Sequence, residues 1–221
     1  MERLRVAIVI PAFNEELTIG SVVEKLIKRA SPLVIDDGST DRTSKRAEAS
    51  GALVLRHQKN QGYEAALNSG FAYAAKLNYE VIVTMDADGQ HNPDALSDFL
   101  QEIESGADVV VGYRPKCQRL AEQIFAWYAL RRWSLRDPLC GMKAYRTSVY
   151  RKLGHFDSYR SVGTELAIYG AKTGARISQV PVSISDRNGA PRFDRCFRAN
   201  LRILRALLIG AIGSRYEDSR F

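Results

Sequence analysis

Several features are scarce in this 221-residue chain, and each scarcity removes a class of protein. No apolar run approaches the roughly 18 residues that cross a bilayer; the longest, residues 206–213, falls far short. The start, Met1-Glu2-Arg3-Leu4-Arg5, leads straight into a strand-like segment and lacks the apolar stretch of a secretion signal. Three cysteines, Cys117, Cys140 and Cys196, lie far apart with no C-x-x-C pair, so neither a zinc ribbon nor a thioredoxin-type centre is supported. An odd number of thiols suits a reducing compartment. The histidines His57, His91 and His155 are scattered and form no ligand set. Neither G-x-G-x-x-G nor G-x-x-x-x-G-K occurs, which removes the dinucleotide fold and the P-loop. Internal repeats and low-complexity linkers are also absent.

What is present is ordinary globular material with a basic excess. Hydrophobic residues make up 45% and charged residues 26%, with 32 Lys and Arg against 25 Asp and Glu, for a net charge of +7. The length is ample for one large core. A basic excess suits nucleic acid, an anionic membrane surface or a phosphorylated substrate. No helix-turn-helix or RNA-recognition signature accompanies it, so nucleic acid is not an expected partner. The arginines crowd into residues 114–136 and 187–205, leaving the N-terminal half nearly balanced.

The first half alternates strand and helix patterns. Apolar runs at 6–10 (stopped by Pro11), 33–35, 52–55, 81–85 and 108–112 read as buried strands. Between them, 16–29 carries a helical stripe from Leu17 to Ile27, Thr40 or Asp41 caps a second helix, 63–76 is alanine-rich and helical, and Pro93 opens a helix to about Glu104. This alternation predicts an α/β fold with a mostly parallel sheet covered on both faces, whose ligands bind at the carboxyl ends of the strands. The polar clusters sit at those ends: Asn14-Glu15, Asp36-Asp37 and Asp86-Ala87-Asp88. Beyond Arg114 the pattern predicts a basic, aromatic helix over 118–136, a strand near 142–145, helices near Ser148 and Thr164, a strand over 176–182, a loop over 186–194 and a helix over 196–212.

Asp86-Ala87-Asp88-Gly89-Gln90 is the most informative stretch. Carboxylates two apart project on one side of an extended chain and can share a divalent cation, with Gln90 as a third oxygen; hard oxygen donors favour Mg²⁺ or Mn²⁺. Two solvated turn aspartates are the plainer alternative. In Asp36-Asp37-Gly38-Ser39 the adjacent acids repel, which natural chains accept for a ligand such as a ribose hydroxyl or a base N–H; a strand-to-helix turn is the plainer alternative. Pro11-Ala12-Phe13-Asn14-Glu15 either starts a helix or walls a nucleoside.

With these stretches in order, the sequence resembles the family 2 glycosyltransferases, which have the GT-A fold, and within them the dolichyl- and polyprenyl-phosphate sugar synthases, over roughly residues 5–195. The resemblance implies one catalytic domain over 1–221, with a nucleotide-sugar-binding half at 1–114 and an acceptor half at 115–221 that carries basic amphipathic helices. It implies a donor site of Pro11, Phe13, Glu15, Ile35, Asp37, Asp86, Ala87, Asp88 and Arg114. Arg187 and Arg192 join them from a closing loop in which Pro191 replaces the family's serine. Asp86, Asp88 and Gln90 are implied as ligands of Mg²⁺ or Mn²⁺. Asp88, Arg114, Asp137 and Glu165 are the implied catalytic residues, the last two from the acceptor-side segments 137–146 and 164–166.

The expected reaction moves a sugar, with inversion, from a nucleoside-diphosphate sugar to a polyprenyl phosphate. A hydroxyl acceptor would need Glu165 or Asp137 as general base, whereas a lipid phosphate is ionised already. Arg119, Arg131, Arg132 and Arg136 favour the phosphate. A glycan or protein hydroxyl acceptor, or a catalytically idle donor-binding subunit, are the alternatives. The segment 125–136 reads either as a core-packing helix or as an interfacial one with Trp127, Tyr128 and Trp133 at headgroup depth, and 198–212 has the same character with Arg198, Arg202 and Arg205. The expected location is cytoplasmic, at the cytoplasmic face of a membrane, with room for an anchoring subunit or a homo-oligomer.

Overall fold

A computed structural model describes residues 4–88, 95–115, 119–183 and 197–212, the first two of the last stretch by backbone alone. Its centre is a seven-stranded sheet: β1 (Val6–Ala12), β2 (Ser31–Asp36), β3 (Leu53–Arg56), β4 (Val81–Thr84), β5 (Val109–Tyr113), β6 (Lys143–Arg146) and β7 (Ile177–Pro181). The spatial order is β3-β2-β1-β4-β6-β5-β7. Six strands run parallel; β6 runs against them and separates β4 from β5. The expected mostly parallel sheet is therefore correct, and the insertion of β6 is its one antiparallel member.

β1 continues past Pro11, which pairs with Ile35. Val9 offers its carbonyl to Met85 across the β4 side, so Pro11 faces that side too, where β4 has already ended opposite Val9. No neighbour there needs the N–H that proline lacks.

Strand alternation sends side chains into two cores. Val9, Ile35, Ile82 and Tyr145 pack beneath α3 (Tyr63–Lys76), α5 (Leu120–Trp133), α6 (Thr147–Leu153), α7 (Glu165–Lys172) and α8 (Phe197–Ile212). Ile8, Ile10, Val83 and Val110 pack against α1 (Ile19–Leu26), α2 (Thr43–Ala49) and α4 (Ala95–Glu104). On the first face Phe71, Tyr145, Tyr150 and Phe156 form one aromatic cluster, with Phe71 and Phe156 4.5 Å apart at their centroids. Helix α1 starts later than the apolar stripe predicts, and Leu17 is exposed. Asp41 is the acid at the start of α2: its carboxylate accepts from the Thr43 N–H at 2.9 Å.

Candidate active site

The carboxyl ends of β1, β2, β4 and β5 lie along one edge, and because β6 runs the other way its first residue joins them. This brings the loops after Ala12, Asp36, Thr84 and Tyr113 to the segment 137–143.

The first two loops are laced into one wall. Asn14, at φ 52°, accepts the Thr40 N–H on Oδ1 at 2.9 Å and donates its own N–H to Ser39 Oγ. The Glu15 N–H donates to Thr43 Oγ1 at 2.8 Å, and the Glu16 N–H to Asp41 Oδ2. Asp41 is partly desolvated, which opposes its charge, but the Thr43 hydroxyl and the N–H donors around it hold its pKa below the ordinary value. Pro11, Phe13 and Glu15 are half-buried along this wall. Ile35 is fully buried in the core, so its side chain packs rather than faces the cleft.

Asp37 is 4% exposed and receives three bonds from its own chain: His57 Nδ1 at 2.7 Å, the Gln61 N–H at 2.9 Å and the Gly62 N–H at 2.8 Å. It anchors the loop that leads into α3. Tyr63, the first residue of α3, donates its hydroxyl to Asp86 Oδ1 at 3.2 Å. Burial of that hydroxyl end, then the charge of Asp86, push the phenol pKa well above its usual value, so it stays a donor, although 38% of the residue faces solvent. Sequence reading missed Tyr63 and His57; neither lies in a recognisable motif.

Asp86 and Asp88 are half-buried around the buried Ala87. Gln90, Arg187 and Arg192 lie outside the described residues, as do His91, Pro93 and the 186–194 loop. Among the described residues no three or more His, Cys, Asp or Glu side chains gather as a metal cage. Two hard carboxylates at a strand end fit Mg²⁺ or Mn²⁺, cations that commonly bind through one or two carboxylates and complete their shell with phosphate oxygens and water.

On the other flank Arg114 and Asp137 meet in a fork: Nε to Oδ2 at 2.6 Å, Nη2 to Oδ1 at 3.0 Å and the Arg114 N–H to Oδ2 at 3.2 Å. Glu122 stands 3.5 Å from Nη2. Burial works against the Arg114 charge, but the Asp137 bonds and charge, with Glu122 behind, raise its pKa above the ordinary value. Cys140 is fully buried nearby, and burial pushes its thiol up to about 11, leaving it inert. Lys143, also buried, donates Nζ to the Gly163 carbonyl at 3.0 Å.

Glu165 is 3% exposed and turned onto the 155–158 turn. Its oxygens accept from His155 Nε2 at 2.9 Å, the Ser158 N–H at 2.5 Å and Ser158 Oγ at 2.9 Å. Of the arginines expected on the acceptor side, Arg132 is exposed and three have partners. Arg119 pairs with Glu122 at 3.6 Å, Arg131 lies over Trp127 and Arg136 over Tyr113. Arg202 binds Glu64 at 2.5 Å and Arg205 donates to the Tyr159 carbonyl at 2.9 Å. Trp133 is buried in the core rather than at headgroup depth, whereas Trp127 is exposed.

Residues 7–154 match the family described as Glycosyl transferase family 2. A dolichyl-phosphate hexose transferase of Haloferax volcanii is 32% identical over 201 residues, covering 85% of this chain and 86% of that protein. An undecaprenyl-phosphate mannosyltransferase of Micrococcus luteus is 29% identical over 209 residues, covering 83% and 85%. Glucosyl-3-phosphoglycerate synthase from Mycobacterium tuberculosis, solved with Mn²⁺, UDP and glucosyl-3-phosphoglycerate, superposes with a TM-score of 0.75 over 94% of this chain and 80% of that one, at 22% identity. That likeness is one of fold.

Proposed function

This chain belongs to glycosyl transferase family 2, has the GT-A type of α/β fold and is a glycosyltransferase; from that premise we propose that it transfers a sugar, with inversion, from a nucleoside-diphosphate sugar to a polyprenyl phosphate. The bond from the anomeric carbon to the diphosphate oxygen breaks as a phosphate oxygen of the acceptor bonds to that carbon from the opposite side. The nucleoside diphosphate departs.

One observation carries the choice of acceptor. A hydroxyl acceptor must lose a proton, so it needs a carboxylate directed at it. Asp137 is forked to Arg114, and Glu165 is wrapped by His155 and Ser158. A phosphate monoester, with a second pKa of roughly 6, needs no base. The named acceptors of the Haloferax and Micrococcus relatives support the same reading.

Each residue then has a role. Pro11, Phe13 and Glu15 wall the nucleoside, and Asp37 holds the loop that closes this wall. A divalent ion held by Asp86, Asp88 and Gln90 would supply Lewis-acid stabilisation of the leaving diphosphate. Arg114, with Nε and Nη2 committed to carboxylates, keeps Nη1 for a phosphate oxygen, and the family resemblance gives Arg187 and Arg192 the same diphosphate as their ligand. With both substrates positioned, the step is mainly one of proximity. The exposed apolar residues of α5 and α8 set the protein on the cytoplasmic face of a membrane where a lipid phosphate is presented; among the described residues no helix is long and apolar enough to cross it.

A thermal-shift panel of UDP-, GDP- and dTDP-sugars with Mn²⁺ identifies the donor, because only bound ligand stabilises the fold. With that donor and a short polyprenyl phosphate, Glu165→Gln keeps kcat within about tenfold of the parent chain. No transfer to the polyprenyl phosphate by the parent chain, with transfer to a hydroxyl acceptor that Glu165→Gln cuts by about 10²–10⁴, the usual worth of a general base, would instead assign a hydroxyl acceptor.

A further inference from the structure

Among the described residues, Lys143 is the one lysine or arginine that is almost wholly buried, at 3% exposure. Strand alternation puts it on the same sheet face as Tyr145, beneath α3 and α7. Pairing puts it opposite Thr84, two residues before Asp86, and opposite Val111, three residues before Arg114. It therefore stands between the acid pair and the strand-end arginine.

An ammonium carries three N–H donors, and among the described residues Nζ has one hydrogen-bond partner, the Gly163 carbonyl at 3.0 Å. No carboxylate among the described residues comes within ion-pair distance of it. A buried charge left this way is costly and calls for an anion. Burial holds the Lys143 pKa below the ordinary value, with Cys140, Asp137 and Asp86 opposing the fall only in part and Arg114 adding to it. Arg114 is in the opposite position, already neutralised by Asp137 and Glu122.

The carbonyl that Lys143 touches is held by strained backbone. Arg160, Val162 and Gly163 have φ of 56°, 58° and 70°, and a β-branched residue in that region is a marked outlier. The Asp157 carboxylate ties the turn together, accepting the Ser161 N–H at 2.8 Å, Ser161 Oγ at 2.8 Å and the Gly163 N–H at 3.2 Å. Strain maintained beside a lone buried cation marks a site under functional constraint. A Cβ on Gly163 would lie 3.9 Å from the Tyr63 ring, whose hydroxyl holds Asp86, so the two features adjoin the acid pair.

We propose that Lys143 Nζ is a phosphate-binding group of the transfer site, giving its two remaining N–H donors to phosphate oxygens of a substrate. The inference rests on the proposed function and deepens it. The phosphate can belong to the leaving diphosphate or to the lipid monophosphate, and the experiment separates these sources.

The full chain and its Lys143→Met and Lys143→Gln variants are titrated calorimetrically in two arms: UDP, GDP and dTDP with Mn²⁺, and farnesyl monophosphate. Melting temperature is recorded for each protein. The expected result is a loss of about tenfold or more in Kd in one arm, with no fall in melting temperature for Lys143→Met, since an isosteric apolar chain replaces an unpaired buried charge. Loss in the nucleotide arm assigns the leaving diphosphate; loss in the farnesyl phosphate arm assigns the acceptor. Affinities within twofold of the parent in both arms would overturn the proposal. So would losses that appear only with a lowered melting temperature in both variants, or failure of both to fold, because Lys143 would then be structural. A parent chain that binds neither probe overturns the proposed function, and this inference with it.

Discussion

Asp36 and Asp37 stand side by side at the end of β2, where their repulsion suggests a ligand contact when only the sequence is considered. The structure gives another reason for the doublet, since the two carboxylates serve different segments. Asp36 accepts the Ser39 N–H at 2.8 Å and the Ser44 hydroxyl, and lies 3.7 Å from Arg56 Nε. Asp37 turns to His57, Gln61 and Gly62. Gly38 follows because the chain must then cross closely over the loop that Asp37 holds: φ is 77°, and a Cβ there would meet the Lys59 carbonyl carbon at 2.7 Å and the Asn60 nitrogen at 2.8 Å. Backbone cannot swing aside as a side-chain tip can. Gly38→Ala is therefore expected to cost about 1–3 kcal/mol from overpacking and about 1 kcal/mol more from the left-handed conformation. Urea denaturation measures the sum. Hydrogen exchange should show the Gln61 and Gly62 amides opening faster, and unchanged exchange there would refute the link between Gly38 and the loop.

At the scale of elements, α5 and α8 each have two characters. Ala121, Phe125, Ala129 and Trp133 bury one side of α5, while Leu120, Ile124, Trp127 and Leu130 remain exposed on the other; on α8, Ile203, Ala206 and Leu207 are buried and Leu201, Leu208 and Ile212 exposed. The choice between a core helix and an interfacial helix is thus resolved by face. Two of the arginines of α8 are not free for lipid phosphate in the way the sequence suggests, since Arg202 and Arg205 brace α3 and the 159 turn. Membrane attachment by α8 should therefore come mainly from its apolar residues. Changing Leu201, Leu208 and Ile212 together to Ser is expected to cut binding to anionic vesicles about tenfold or more, since each buried apolar side chain is worth about 1.5–3 kcal/mol. The melting temperature should hold, because these side chains already face solvent. Binding that survives the triple change but disappears in 0.5 M salt, where charge attraction is screened, would assign attachment to the basic residues instead.

Elements also mark how far the sequence could be read. Helix α3 was legible to its ends, Tyr63–Lys76, because alanine-rich helical composition is a local signal. The acids at the ends of β2 and β4 were legible because apolar runs stop abruptly at Asp36 and Asp86. The place of β6 was not, since nothing local tells a strand which neighbours it will have. Lys143 and Glu122 were missed for the same reason: their partners Gly163 and Arg114 stand next to them only after the chain folds. The one available hint was a lysine within the otherwise apolar stretch 142–145.

For the whole molecule, the position of β6 decides whether residues 1–114 and 115–221, the proposed donor and acceptor halves, are separable. β6 comes from beyond residue 114, yet it bonds to β4 along Val81–Thr84 on one side and to β5 along Val109–Val111 on the other. The other neighbour of β5 is β7, also from the second half. A fragment of residues 1–114 would thus keep β5 with no strand beside it and β4 with an open edge, a known liability. It would also lose Phe125, Trp133, Leu166, Ile168 and Ile203, which cover the sheet face that carries Val9, Ile35 and Ile82. The core beneath α1, α2 and α4 comes mostly from the first half, but the burial on the opposite sheet face is shared between the halves, so residues 1–114 alone would leave that face open to water. The full chain is expected to melt in a single calorimetric transition with equal van't Hoff and calorimetric enthalpies, and the 1–114 fragment to show no cooperative transition and no stabilisation by a nucleoside diphosphate with Mn²⁺. A fragment that melts cooperatively would show a free-standing nucleotide domain. The continuous sheet has a geometric consequence too: Thr84, which leads into Asp86, pairs with Lys143 at the start of β6, so the strand register itself brings the acid loop and the buried lysine together.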